Sequence, residues 1–155
     1  MMASWIEPIY DRTYADVDYA KARIKYYKAN GGITDGEILK GVFSANDMNR
    51  IENNARYLSD RLIELYYFCD INTVHDWNMA SVPELKEHIS RVINNVDNLR
   101  KAYYTPNTSP ELPDTLTHFE EVNAVEKSMY LLKEMIDDMV SHFRECGDGL
   151  ECEEE

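Results

Sequence analysis

The chain has 155 residues, of which 44% are hydrophobic and 29% are charged, a balance typical of one globular domain with a real core. The formal net charge of −13 argues against binding to the phosphate backbone of nucleic acid. We therefore expect no nucleic-acid partner. The chain holds no apolar run of about 18 residues, so we expect no membrane partner either.

The first predicted helix covers residues 13–29 and follows a short piece near Trp5–Tyr10 that we expect to be extended. Thr13 is the predicted N-cap, with Asp16 at the third helical position. Apolar residues then recur at spacings of three and four: Val17, Ala20, Ile24 and Tyr27. The helix is expected to end at Asn30-Gly31-Gly32, because glycine is the preferred residue after a helix C-terminus.

The second predicted helix covers residues 44–69, with Ser44 as N-cap and Asp47 as its acidic partner. Its core face has the same spacing: Met48, Ile51, Ala55, Leu58 and Leu62. Its first turns also hold four asparagines, although asparagine is a mediocre helix former: Asn46, Asn49, Asn53 and Asn54. These amides are either tolerated at the surface or needed for a contact.

Two further helices are predicted at residues 82–103 and 117–144. Each follows a capping box, in which a Ser or Thr N-cap is paired with an acid three residues later: Ser81/Glu84 and Thr117/Glu120. The apolar stripe of the third helix runs through Ile89, Val92, Val96, Leu99 and Tyr103. That of the fourth runs through Val122, Val125, Met129, Leu132 and Ile136. The connection at residues 103–116 holds three of the five prolines, so it must be extended and either wraps the surface or reaches a neighbour.

These patterns predict an all-α fold: one helical domain at residues 1–144, with about four main helices and long irregular connections. Residues 145–155 carry six acids and no base, and we expect this acidic tail to be disordered. The start of the chain has neither the basic region nor the apolar region of a secretory signal. The three cysteines lack metal spacing, so they are read as reduced thiols.

A search for chemistry predicts no catalytic residues, no cofactor and no metal site. The Glu84/His88 pair has no second partner pair of the kind a di-metal bundle needs. His75-Asp76, in a connection beside Trp77, remains as a weak enzymatic alternative, and Cys69 is read as a buried inert thiol.

Polar and aromatic residues predict protein contacts instead. Tyrosine is abundant and often paired, and exposed tyrosine is enriched at protein interfaces. The candidate contact residues are Arg50, Asn53, Asn54, Tyr66, Trp77 and Tyr104. We hypothesise that Arg50, Asn53 and Asn54 fasten the second helix to a non-helical segment, either the prolyl connection of the same chain or a neighbouring subunit.

Two internal echoes accompany these residues. The run Asn49-Arg50-Ile51-Glu52 recurs as Asn123-Ala124-Val125-Glu126, and Asn53-Asn54 recurs as Asn94-Asn95. Residue preferences common to amphipathic helices explain these two repeated patterns as well as internal duplication does, and both explanations stay open.

Two elements resemble a known family. Asp11-Arg12-Thr13-Tyr14-Ala15-Asp16-Val17 matches a DRTxxDV pattern, and residues 43–53 match a pattern ending in Asn-Arg-Ile-Glu-x-Asn. Both are similar to small structural proteins encoded among the tail genes of bacteriophages and prophages of low-GC Gram-positive bacteria. The resemblance extends to about Met139 and implies a setting in a virion or tail-like particle, without catalytic residues.

The resemblance therefore implies a non-enzymatic structural or assembly protein, made in the bacterial cytoplasm, with other tail or baseplate proteins as partners. Self-association is left open. The first alternative is a soluble acidic phage-encoded inhibitor that mimics nucleic-acid charge. It would need carboxylates in a spaced row, whereas many acids here lie in the tail and at helix starts. The second alternative is an enzyme using His75-Asp76.

Overall fold

The computed structural model describes residues 3–31, 39–74, 76–78, 85–105 and 107–153, with no account of the Leu85 side chain or of side chains after Phe143. It contains four helices: α1 (Tyr14–Ala29), α2 (Ala45–Glu64), α3 (Leu85–Ala102) and α4 (Phe119–Glu153). No strand occurs within these ranges. The predicted all-α class is confirmed.

Acidic side chains at the helix starts determine where the chain becomes helical. The Thr13 N–H donates to the Asp16 carboxylate at 2.9 Å, and the Ser44 N–H donates to Asp47 at 2.9 Å, as predicted. The prediction for α4 was wrong by one position, because the His118 N–H donates to Glu121 at 2.9 Å and the helix begins at Phe119. Ser81 and Glu84 lie outside the described residues.

The core lies between α2, α3 and α4, which pack against one another. The buried stripe of α2 is the predicted one, and the stripes of α3 and α4 meet it. Trp77 and Leu116 enter the same core from the two connections. The buried apolar residues of the three helices include Met48, Ile51, Leu58, Leu62, Val92, Val96, Leu99, Val125, Met129, Leu132 and Ile136.

Helix α1 lies outside this core, contrary to the prediction that all four stripes meet. Ala20 and Tyr27 are buried, but neither belongs to the core cluster, and Val17 and Ile24 are only half-buried. The turn at Gly41 covers one side of α1 so closely that a Cβ there would come within 2.2 Å of the Asp16 carbonyl oxygen. Gly41 therefore packs on the backbone of α1 at Asp16 and Val17, where a larger residue would not fit.

Helix α2 ends at Glu64, five residues before the predicted end. The Tyr67 N–H donates to the Leu62 carbonyl at 2.8 Å, and the Tyr66 N–H donates to Ile63 at 3.0 Å, which is the Schellman arrangement. Tyr66 has a φ of 66°, in the left-handed region where glycine is favoured. This unfavourable conformation at a tyrosine is why the sequence did not reveal the end of the helix.

Helix α4 continues to Glu153, nine residues beyond its predicted end at residue 144. The side chains of residues 144–155 lie outside the described set, so disorder of the acidic tail stays a prediction.

We expect Tyr66→Gly to raise the free energy of unfolding by about 1 kcal/mol, because glycine adopts a positive φ without the Cβ penalty. The Tyr66 side chain is 84% exposed, so little packing would be lost. Urea denaturation of both proteins measures the difference. Tyr104→Gly is the control at an exposed tyrosine without a positive φ, and it should bring no gain. Equal or lower stability of Tyr66→Gly would contradict the account.

Candidate functional site

A buried ion network joins α2, α4 and the segment before α1. Arg12 donates to Asp47 at 2.9 Å and to Glu126 at 2.8 Å. Arg50 donates to Asp47 at 2.6 Å and to Glu126 at 2.5 Å. All four side chains are at most 9% exposed, and their two positive and two negative charges cancel. Such a network is stable only because each charge has its partner.

Arg50 is a buried cation held between two carboxylates. Burial alone would lower the pKa of Arg50, but hydrogen bonds and charge from Glu126, and then from Asp47, outweigh burial and raise it. The guanidinium therefore stays charged. Arg50 cannot act as a proton donor or acceptor at any ordinary pH.

A second buried carboxylate, Glu52, lies on α2 one turn from Asn49. It accepts hydrogen bonds from Arg91 of α3, from the indole N–H of Trp77 and from the backbone N–H of Val74. Glu52 is 1% exposed and Trp77 is 6% exposed. This carboxylate is occupied in holding the connection between α2 and α3 against the core.

Four asparagines hold extended backbone against the helices in the same way. Each side-chain amide accepts a hydrogen bond from the backbone N–H of one residue and donates one to the backbone C=O of the same residue. It thus supplies the two hydrogen bonds that a neighbouring β-strand would otherwise make. The pairs are Asn49 with Trp77 (2.8 and 2.8 Å), Asn54 with Ile6 (3.0 and 2.8 Å), Asn95 with Asn72 (3.1 and 2.7 Å) and Asn123 with Arg12 (3.2 and 3.0 Å).

These contacts bear on the hypothesis that Arg50, Asn53 and Asn54 fasten α2 to a non-helical segment. Asn54 binds Ile6, and Asn53 donates to the Ser4 carbonyl at 2.6 Å, so both fasten α2 to a non-helical segment of the same chain. That segment is the N-terminal one and not the prolyl connection. Arg50 differs from the hypothesis, because its partners are carboxylates on α2 and α4.

The candidate contact residues thus separate into two groups. Arg50, Asn54 and Trp77 are buried and engaged inside the chain, which removes them from the surface. Tyr66 and Tyr104 are exposed, at 84% and 52%. Asn53 is half-buried at the border.

An aromatic patch formed by Tyr66, Tyr67, Phe68 and Phe143 lies where α2 ends. Tyr66, Tyr67 and Phe143 line one shallow groove, together with Glu64 and Leu65. Phe68 follows directly in the chain and is 74% exposed, and Phe143 is 66% exposed. Large apolar side chains gathered on a surface mark sites of protein contact more often than isolated ones do.

The residues considered for catalysis are His75, Asp76 and Cys69. His75 lies outside the described residues. Burial, and then the charge of Asp70, raises the pKa of the Cys69 thiol, which leaves it protonated and unreactive near neutral pH. Across the described residues, no group of three or more His, Cys, Asp or Glu side chains could hold a metal ion.

Sequence reasoning missed Arg12, Asp47, Glu52 and Glu126 as buried partners. The repeated Asn-x-x-Glu spacing was the available signal. In both copies the asparagine binds extended backbone and the glutamate binds arginine: Asn49 and Glu52, and Asn123 and Glu126. The two elements that carry the family resemblance also meet here, since Arg12 belongs to the first and Arg50 to the second.

Comparison of the chain with family models, with curated proteins and with solved structures found no match. None of the helices in the described ranges is long and apolar enough to cross a membrane. The phage-tail resemblance therefore stays a prediction.

We expect Glu126→Gln to lower the free energy of unfolding by about 3–5 kcal/mol, because it leaves two buried guanidinium groups facing one carboxylate. Glutamine keeps the size of the side chain, so the loss would be electrostatic. Glu120→Gln, at an exposed site on the same helix, should change stability by less than about 0.5 kcal/mol. Similar effects of the two substitutions in urea denaturation would refute the role of the network.

We expect Asn54→Ala to lower the free energy of unfolding by about 1–3 kcal/mol, since the backbone of Ile6 loses both partners that the buried Asn54 side chain supplies. Asn53→Ala should be close to neutral, because one exposed hydrogen bond is offset by the better helix propensity of alanine. Thermal unfolding of the two single variants compares neighbouring asparagines directly. An equal effect at both positions would show that the paired geometry is unimportant.

Proposed function

We propose that the protein is a non-enzymatic structural or assembly protein of a bacteriophage tail or tail-like particle. Its partners on this proposal are other tail or baseplate proteins. The two motif elements that resemble the tail-gene family support the setting. The contact role is supported by one observation above the others, the conformation of Tyr66.

Tyr66 combines strain with exposure. Its backbone has a φ of 66°, and its side chain is 84% exposed. A left-handed conformation at a non-glycine residue costs on the order of 1–2 kcal/mol, and an exposed ring gains little packing in return. The Schellman end of α2 requires a left-handed residue at this position but not a tyrosine, so the tyrosine is a reason to look for a use of its side chain. A binding surface is such a use, because tyrosine is enriched at protein interfaces.

The neighbours of Tyr66 strengthen this interpretation. Phe143 lines the same groove and is largely exposed, and Phe68, two positions after Tyr66 in the chain, is largely exposed as well. Tyr67 packs edge-on against Tyr103, with ring centroids 5.0 Å apart. The contact with Tyr103 therefore anchors the Tyr67 ring at the base of the aromatic patch. An interface core of this kind loses less side-chain entropy on binding than one built from long aliphatic chains.

The experiment compares particles purified from the host cell. Mass spectrometry should find the wild-type protein in them, and the double variant Tyr66→Gly/Phe68→Ser should be depleted at least about tenfold. The matched control is Ile6→Ser/Val74→Ser, which removes two exposed apolar side chains elsewhere and should be incorporated normally.

Two results would count against the proposal. Absence of the wild-type protein from particles and from their assembly intermediates would refute the assembly role itself. Normal incorporation of the aromatic double variant, with a normal melting temperature, would leave the role intact but remove the aromatic patch from it.

A further inference from the structure

Helix α1 is the basic region of an acidic chain. Residues 19–34 contain four of the 16 Lys and Arg residues and no acid, whereas the whole chain has a net charge of −13. The net charge of the whole chain conceals this basic stretch. Lys21, Lys25 and Lys28 are exposed on α1, and they make no ion pair within the described part of the chain.

The exposed residues of α1 occupy one uninterrupted half of the helix, which carries a seven-residue repeat. At 100° per residue, Ala15, Ala22 and Ala29 form a flat central strip, with Lys21, Lys25 and Lys28 along one edge. One exposed acid, Asp18, lies between the strip and the lysines, so the face keeps a net positive charge of two. Tyr19 and Tyr26 lie along the other edge and are 57% and 54% exposed. A strip of small residues between apolar and charged edges is the geometry on which a second helix packs.

The positive charge on the exposed face of α1 indicates which partner can bind there. We define this face by Lys21, Ala22, Lys25, Tyr26 and Lys28. A second α1 in antiparallel contact would place lysines against lysines. Residues 145–155 have the opposite character, with six acids and no base. We propose that the exposed face of α1 binds the acidic C-terminal segment, residues 145–155, of a second copy of the chain.

The dimensions of the helices favour a contact between two copies over one within a single chain. Tyr14 at the start of α1 packs on Phe119 at the start of α4, with ring centroids 4.9 Å apart. At 1.5 Å per residue, α4 is about 50 Å long and α1 about 24 Å long. The far end of α4 therefore lies roughly 25 Å beyond any part of α1, even if the two helices run side by side.

The two partners also match in length. The lysine row from Lys21 to Lys28 spans about 11 Å, and the helical part of the acidic segment, residues 145–153, spans about 12 Å. Each copy has one basic face and one acidic end, so the contact joins copies head to tail. This inference rests on the assembly role proposed above and gives it a specific contact.

The test uses the full-length chain and two variants that each lose one half of the contact. Sedimentation of the wild type should show concentration-dependent association. Deletion of residues 145–155, or the triple variant Lys21→Glu/Lys25→Glu/Lys28→Glu, should weaken association at least about tenfold. Mixed together, the two variants should form a 1:1 complex that grows no further, because one supplies the intact face and the other the intact acidic end.

The control is Lys86→Glu/Lys101→Glu/Lys127→Glu, which changes three exposed lysines outside α1 and gives the same net charge. It should associate as the wild type does, which separates the α1 contact from general repulsion between acidic molecules. Circular dichroism and melting temperature establish that each variant is folded before association is compared.

Cross-linking of carboxylates to lysines in a mixture of isotopically labelled and unlabelled chains identifies the partner. Mixed-label links between α1 and residues 145–155 are expected. Same-label links alone would overturn the proposal in favour of closure within one chain. A wild type that stays monomeric to about 1 mM, or binds a short DNA duplex through α1 instead, would also overturn it. Particle mass spectrometry tests the assembly role separately, so either idea can fail alone.

Discussion

The pairing of Glu126 with Arg12 and Arg50 is the interaction on which the arrangement of this chain depends. It brings together α4, α2 and the segment before α1, and Asp47 balances the charge. Because Arg12 directly precedes the N-cap Thr13, the same contact sets the point at which α1 leaves the core. A helix with few apolar contacts to the others is thus held by electrostatics at its base. Losing any one charge would leave an uncompensated buried partner.

Paired amide hydrogen bonds solve a different problem. Extended segments that lie on helices have backbone groups that helices cannot satisfy, because the helical N–H and C=O groups already bond to each other. An asparagine side chain offers one acceptor and two donors at the right separation, so it serves as a one-residue strand. The helix-propensity cost of asparagine on α2 is therefore offset by satisfied backbone at Trp77 and Ile6. The Asn-x-x-Glu pattern occurs on both α2 and α4, and in each copy its asparagine binds the backbone of an extended segment.

Much of the helical framework could be predicted from the sequence, because capping boxes and apolar spacing are local signals. The start of α2 and its buried stripe were predicted correctly. The buried polar contacts could not be predicted in the same way, since Arg12 and Glu126 are 114 positions apart and no local pattern links them. The failure at the end of α2 has another cause, as Tyr66 occupies a conformation for which glycine is the usual signal. Hydrophobic spacing on α1 misled because an apolar stripe does not reveal whether it packs against the other helices, and no α1 residue joins their core cluster.

The use of so many polar groups inside the chain limits what the surface can do. Asp47, Glu52 and Glu126 are neutralised in the interior, so they add nothing to a row of charges that would imitate nucleic acid. The described part of the chain exposes two faces of different chemistry: the aromatic patch after α2 and the basic exposed face of α1. Two faces on different elements allow one molecule to contact two neighbours at once. A head-to-tail contact repeats until a ring closes or another protein stops it. The aromatic patch, which needs no second copy, is the face on which such a protein could act.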